Sequence, residues 1–151
     1  MNTKLDVTRA FLIKTLPNPT HAFTISFKSA KLPIDKEEKL LLASNSFFWL
    51  VRILNDRCLG KSHRKNGKRI GCTAIAEGMG SEKRLHLHGS LKKPSHIKSD
   101  VFIQKIKKAA TKVRSFGNIQ IDDWRDEGWT NYITKEMDCE VLWDHCHSGN
   151  P

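Results

Sequence analysis

The chain has 151 residues, of which 38% are hydrophobic and 28% charged, and its formal net charge is +10 at pH 7. This length predicts one domain with its own core, and the composition excludes an intrinsically disordered chain. No run of about 18 apolar residues occurs, which excludes a membrane-spanning helix, and the first residues lack the apolar segment of a secretion signal. We therefore expect a cytoplasmic protein with reduced cysteines and, because of its charge, a polyanionic partner.

The first half of the chain predicts a strand and a long helix. Residues 1–20 form an N-terminal extension that ends in a Pro-Asn-Pro turn. In residues 21–28 apolar and small polar side chains alternate, which is typical of a half-buried strand. A broad apolar stripe over residues 36–59 predicts a core helix, with Asp35 as its N-cap and Gly60 as its end.

Residues 57–69 carry six cations and no acidic side chain, and their glycines and asparagine favour an exposed loop. We expect these cations to contact phosphate groups, although a loop that is merely solvated is the alternative. The cations are Arg57, Lys61, Arg64, Lys65, Lys68 and Arg69.

The second half of the chain continues the alternation of strands and helices. Residues 69–77 and 84–91 predict a hairpin, 98–113 a helix, 117–124 a fourth strand and 129–138 a last helix. This order is that of a split βαβ unit. It predicts an α+β, ferredoxin-like fold, an antiparallel sheet with helices on one face and an open active-site face on the other.

Two histidines stand on one face of the predicted second hairpin strand. His86 and His88 are two residues apart and therefore point to the same side, where Thr24 and Ser26 of the first strand are also expected to project as contacts for the polyanionic partner. Two imidazoles so placed can ligate one divalent metal, although two surface histidines are the simpler interpretation. Glu77 would complete a mixed set suited to Mn²⁺ or Mg²⁺, provided that a bulge or a longer loop brings it to this face.

The chain has one tyrosine, Tyr132, and Lys135 follows at helical spacing on the same side. A phenol can act as a covalent nucleophile, and phosphodiester transfer is one such reaction. A nearby ammonium would stabilise negative charge on the reacting groups. An interfacial aromatic beside a solvated lysine is the common alternative for this pattern.

Taken together and in order, three short motifs resemble those of the HUH endonucleases, specifically their single-tyrosine replication initiator branch. FTISF at 23–27 resembles the first motif, HLH at 86–88 the second, and YITK at 132–135 the third. The resemblance covers residues 21–138, which would be the endonuclease domain. It implies the same ferredoxin-like fold.

The resemblance also implies a function. Tyr132 would attack a phosphate of single-stranded or stem-loop origin DNA and become linked to the 5′-phosphate, with Lys135 assisting. Mn²⁺ or Mg²⁺ would be bound by His86, His88 and Glu77. No Walker A sequence occurs, so unwinding would need a host helicase, together with a host polymerase. A second tyrosine for strand switching is also lacking.

Two other interpretations remain open. A single-tyrosine transposase of the same superfamily would share these motifs, whereas a non-catalytic module with an RRM-like sheet would carry aromatic side chains on its exposed strand positions. Residues 139–151 match nothing in the family. We expect a frayed tail there, the alternative being a metal site that uses Cys139, His145, Cys146 and His147.

Overall fold

The computed structural model describes residues 3–28, 33, 35–80, 84–135 and 139–149. The helices are α1 Lys4–Thr15, α2 Lys36–Leu59, α3 Lys61–Asn66, α4 Ser99–Thr111 and α5 Gly128–Ile133. The strands are β1 His21–Phe27, β2 Gly71–Glu77, β3 His86–Lys92, β4 Phe116–Asp123 and β5 Glu140–Val141, and a 3₁₀ turn follows at Trp143–His145. Among the described helices, none has the length and apolar character needed to cross a lipid bilayer.

The strands form one antiparallel sheet in the order β4-β1-β3-β2-β5. The first four have the ferredoxin-like arrangement, so the predicted fold class is confirmed. β5 extends the sheet beside β2, and Cys72 pairs with His147 just beyond it. The prediction of a frayed tail over residues 139–151 is therefore wrong for the part that the structure describes, because its backbone satisfies its hydrogen bonds along the edge of β2.

The main core lies between the sheet and helices α2 and α4. Phe23 and Ile25 of β1 face Phe47 of α2 and Phe102 of α4, and each of these side chains is at most 1% exposed. Burying a side chain of this size stabilises the fold by about 1.5–3 kcal/mol. The alternation predicted for β1 therefore divides its side chains between this core and the opposite face of the sheet, which is called the second face below.

Helices α1 and α5 pack against part of the second face, in a small cluster around Leu12, Ile75, Ile133 and Val141. This face is therefore covered over β2, while β4 stays exposed. α1 lies in the segment predicted only as an extension. It begins with a capping box in which Thr3 and Asp6 bond each other's backbone N–H groups.

Two predicted elements differ in extent. The basic segment 57–69 is not simply a loop, because it contains the end of α2 and the short helix α3. Gly60 separates the two helices with a φ of 51°, a left-handed conformation that glycine adopts without strain. α5 ends at Ile133, and residues 136–138 of the predicted last helix lie outside the described residues.

Candidate active site

Glu77 lies directly opposite His86 in the register of β2 and β3. Directly opposed residues of an antiparallel pair share a face, so the carboxylate stands on the side of the two histidines. Regular pairing runs from Gly71 to Glu77 without a bulge. The connection over residues 78–85 is longer than a tight turn. It is therefore the longer loop, and not a bulge, that accompanies the placement of Glu77 on the histidine face.

His88 is held between a carboxylate and a hydroxyl. Its Nε2 lies 3.0 Å from Oε2 of Glu77, and its Nδ1 lies 3.0 Å from Oγ1 of Thr24. Burial, helped by the charges of His86 and Lys135, lowers the pKa of His88 to about 4. The imidazole is therefore neutral at pH 7, which is the form that ligates metals.

The ring of His86 is oriented by the backbone. Its Nδ1 lies 2.9 Å from the carbonyl oxygen of Arg84, and a carbonyl only accepts, so Nδ1 carries the proton. In the neutral ring Nε2 then keeps its lone pair, as in metal-ligating histidines whose other nitrogen bonds a carbonyl. The ring is nearly parallel to that of His88, with centroids 6.1 Å apart.

The donor set formed by His86, His88 and Glu77 suits Mn²⁺ or Mg²⁺ in its chemistry, since it mixes imidazole nitrogen with carboxylate oxygen. Their side chains do not yet converge. Within the described residues, no three His, Cys, Asp or Glu side chains are arranged to hold a metal ion. Glu77 is bonded to His88 instead, so cation binding requires this contact to open.

Tyr132 lies on α5 beside the same part of the sheet and is 54% exposed. Nζ of Lys135 lies 4.4 Å from the centre of its ring. Trp129 also stacks on Tyr132, with ring centroids 5.7 Å apart, and its ring meets that of His88 in a T-shaped contact with centroids 6.1 Å apart. The structure therefore brings the predicted tyrosine and lysine close to the predicted ligands, with one indole between them.

Two residues of this arrangement were not predicted. Trp129 donates from Nε1 to the carbonyl of Gly89 at 3.0 Å, which ties α5 to β3 next to His88. Its position three residues before Tyr132 placed it on the same helical side, and that spacing could have revealed it. Arg9 of α1 bonds the end of α5 through the carbonyl of Asn131, which the sequence could not indicate without α1.

The two hydroxyls expected to contact DNA have partners inside the protein. Thr24 bonds His88, as described, and Ser26 accepts from the backbone N–H of Asn118 at 2.8 Å. Thr24 is thus placed to orient the imidazole. Contact of either hydroxyl with DNA stays a prediction.

The basic segment lies at the other end of β2 from Glu77. Arg69 precedes β2 and Glu77 ends it, and a strand rises about 3.3 Å per residue, which separates them by roughly 26 Å. The cations of residues 57–69 are exposed, and Arg64 is paired with Asp56. The structure therefore does not bring this segment to the tyrosine.

The chain matches no protein-family model, no curated protein and no solved structure. An assignment to a family therefore rests on the motifs and on the geometry described above.

Proposed function

We propose that this chain cuts and rejoins single-stranded DNA as a metal-dependent, single-tyrosine endonuclease of the HUH type. It would act in the host cytoplasm at a stem-loop origin and initiate rolling-circle replication of a virus or plasmid. The observation that carries the proposal is the position of Tyr132 and Lys135 next to the sheet face that holds Glu77, His86 and His88.

The ammonium of Lys135 supports a phosphate site beside the tyrosine and near the histidines. It lies over the ring of Tyr132, and its charge is near enough to lower the pKa of His88. A scissile phosphate placed there would be attracted by Lys135 while the exposed phenol remained in reach of it. Such positioning and charge stabilisation account for most of the catalysis expected in phosphoryl transfer.

The covalent step is a displacement at phosphorus. Oη of Tyr132 forms a bond to the phosphorus while the bond from phosphorus to the 3′-oxygen breaks. The 3′-oxygen leaves with the electron pair and takes a proton from water, and the phenolic proton passes to solvent. The 5′-phosphate stays on Tyr132, and attack by a 3′-hydroxyl on this phosphotyrosine rejoins the strand without ATP.

A bound Mn²⁺ or Mg²⁺ would supply Lewis acidity at the phosphate. The chain's own contribution is to orient these ligands. The carbonyl of Arg84 orients His86 with Nε2 toward the site, whereas the hydroxyl of Thr24 donates to Nδ1 of His88, whose Nε2 donates to Glu77. Ligation through Nε2 of His88 would require its proton to move to Nδ1. Glu77 would exchange its contact with His88 for the cation.

A binding module of the RRM type is less well supported. Such modules stack bases on aromatic side chains of the exposed sheet face. In the described strands, the positions next to His86 and His88 on this face are occupied by Thr24, Ser26 and Ile75. The aromatic side chains of β1 instead face the core.

The test is a search for the covalent adduct. Labelled single-stranded stem-loop DNAs are incubated with the protein and Mn²⁺ and then run on a denaturing gel. The labelled 5′-phosphate strand should migrate with the protein, and mass spectrometry should place it on Tyr132. Tyr132→Phe should lose both adduct and cleavage, whereas the control Trp143→Phe, at an exposed aromatic outside the site, should retain both. Cleavage that persists in Tyr132→Phe would show that water, and not the phenol, attacks the phosphate.

A further inference from the structure

A groove of about 780 Å³ lies away from Tyr132, between α2, the α3 region and the 3₁₀ turn near the C-terminus. One wall is formed by Phe48 and Trp49 of α2, which are 39% and 51% exposed. Cys72, at the start of β2, lies at its base. None of the residues proposed for the cleavage reaction lines this groove, since Glu77 ends the same strand at the other side of the molecule.

The exposed aromatic side chains of this wall contact one another. Phe48 meets Trp49 edge to face at 5.6 Å and contacts His145 at 5.9 Å. The guanidinium of Arg52 lies over the ring of Trp49, 5.4 Å from its centroid. Exposed aromatic faces combined with an arginine are the surface on which unpaired bases stack.

The groove is also strongly cationic. Five cations line it against two acids, Asp56 and Asp144, and Asp56 is already paired with Arg64. The lining cations are Arg52, Arg57, Arg64, Arg69 and Lys112. They come from α2, the α3 region and the end of α4, so positive charge borders the aromatic side chains from several elements.

We propose that this groove is a second binding surface for single-stranded DNA, separate from the site of cleavage. Bases stack on Trp49 and Phe48, and the phosphates between them contact Arg57, Arg69 and Lys112. A single strand fits better than a duplex, because stacking on a protein ring requires bases that are not enclosed in a helix. Single-stranded DNA also fits the groove better than an acidic peptide, which would contact the cations but not stack on the aromatic side chains.

This surface does not depend on the proposed cleavage chemistry, although with that chemistry it would hold DNA flanking the nick. The groove would then contribute to affinity, and the tyrosine site would select the phosphate to be cut.

The test measures equilibrium binding of a fluorescein-labelled oligothymidylate by anisotropy, with all variants made in the Tyr132→Phe background to prevent cleavage. Trp49→Ala should weaken binding by roughly fivefold or more, the effect of removing one stacked base. Trp49→Phe keeps an aromatic face and should restore most of the affinity. Leu41→Ala, at an exposed position of the same helix outside the groove, is the matched control and should bind within twofold of the parent.

The phosphate contacts are tested through the salt dependence. The double variant Arg57→Gln/Lys112→Gln should reduce the magnitude of the log–log slope by about 1.4, because each phosphate of a single strand that a cation neutralises adds roughly 0.7 to it. Lys107→Gln removes an exposed cation of α4 outside the groove and should leave the slope unchanged. Circular dichroism of each variant checks that the fold is retained.

Three results would overturn the proposal: affinity unchanged by Trp49→Ala, a duplex that binds as tightly with the same dependence on Trp49, or a polyglutamate peptide that competes as well as DNA of equal charge. The failure of this proposal can be told apart from the failure of the proposed endonuclease activity. Binding that depends on Trp49, in a protein whose Tyr132 forms no adduct, would leave the groove standing and remove the endonuclease. Adduct formation on Tyr132, with DNA binding that does not depend on Trp49, would support the endonuclease and exclude the groove as a DNA-binding surface.

Discussion

Arg9 donates from Nε to Oγ1 of Thr134 at 2.8 Å, joining the N-terminal helix to the end of the helix that carries Tyr132. Thr134 is fully buried, and its hydroxyl in turn donates to the carbonyl of Thr130 at 2.6 Å. α5 has only six residues, and a helix of this length is not stable by itself. Its position beside β3 therefore depends on contacts of this kind.

We predict that Arg9→Ala slows adduct formation while DNA binding is retained, because α5 loses an anchor but the cationic surfaces are unchanged. The free energy of unfolding should fall by about 1–3 kcal/mol, because two hydrogen bonds of about 0.5–1.5 kcal/mol each are lost. Urea titration and single-turnover cleavage measure the two effects. Lys4→Ala, at an exposed position of the same helix, is the control. A variant as fast as the parent would show that α1 does not position Tyr132.

We predict that His86→Ala and His88→Ala each abolish high-affinity Mn²⁺ binding and cleavage, because each removes one imidazole from a proposed set of three ligands. Isothermal titration with Mn²⁺ measures binding independently of activity. His63→Ala, on α3 away from the sheet face, should bind Mn²⁺ like the parent. EDTA should stop cleavage and added Mn²⁺ should restore it. Either histidine variant cleaving at full rate in chelator would exclude the metal site.

We predict that Trp129→Phe lowers the rate of adduct formation by roughly two- to tenfold, equivalent to one hydrogen bond of about 0.5–1.5 kcal/mol. The phenyl ring can still stack on Tyr132, but the bond from Nε1 to the carbonyl of Gly89 is removed and α5 is held less firmly. Stopped-flow or quench-flow cleavage under single-turnover conditions gives the rate. If Trp129→Ala were no slower than Trp129→Phe, the stacking of the two rings would have no part in positioning the tyrosine.

We predict that stability falls as the pH is lowered from 7 to 5, in part because of His21. This histidine is 2% exposed, bonded to the hydroxyls of Thr20 and Ser99, and burial lowers its pKa despite the opposing charge of Asp123. The unfolded chain therefore takes up a proton near pH 6.5 while the folded chain does not, and acid favours unfolding.

The corresponding measurement is urea unfolding at several pH values. His21→Gln can keep a polar contact but cannot titrate, so the free energy of unfolding should depend less steeply on pH between 7 and 5. Some dependence will remain, since burial also lowers the pKa of His88, His145 and His147. An equally steep dependence in His21→Gln would contradict the role given to this residue.

The elements with strong periodicity could be predicted from the sequence. The helix predicted over 36–59 has those bounds in the structure, because a long apolar stripe between Asp35 and Gly60 leaves few alternatives. The alternation in β1 and β3 likewise indicated which side chains face the core. α1 gave no comparable signal, because its apolar side chains are spread around the helix and only Thr8 and Leu12 are buried.

The sequence by itself determined the α+β class and the shared face of His86 and His88, since these follow from local periodicity. The shared helix expected for Tyr132 and Lys135 is wrong, because α5 ends at Ile133, although Lys135 still lies over the tyrosine ring. Only the tertiary structure placed Glu77 opposite His86 and Trp129 between His88 and Tyr132. These depend on strand register and on how α5 packs on the sheet. Both are decided by burial and hydrogen bonding between residues far apart in the chain, which a local pattern does not encode.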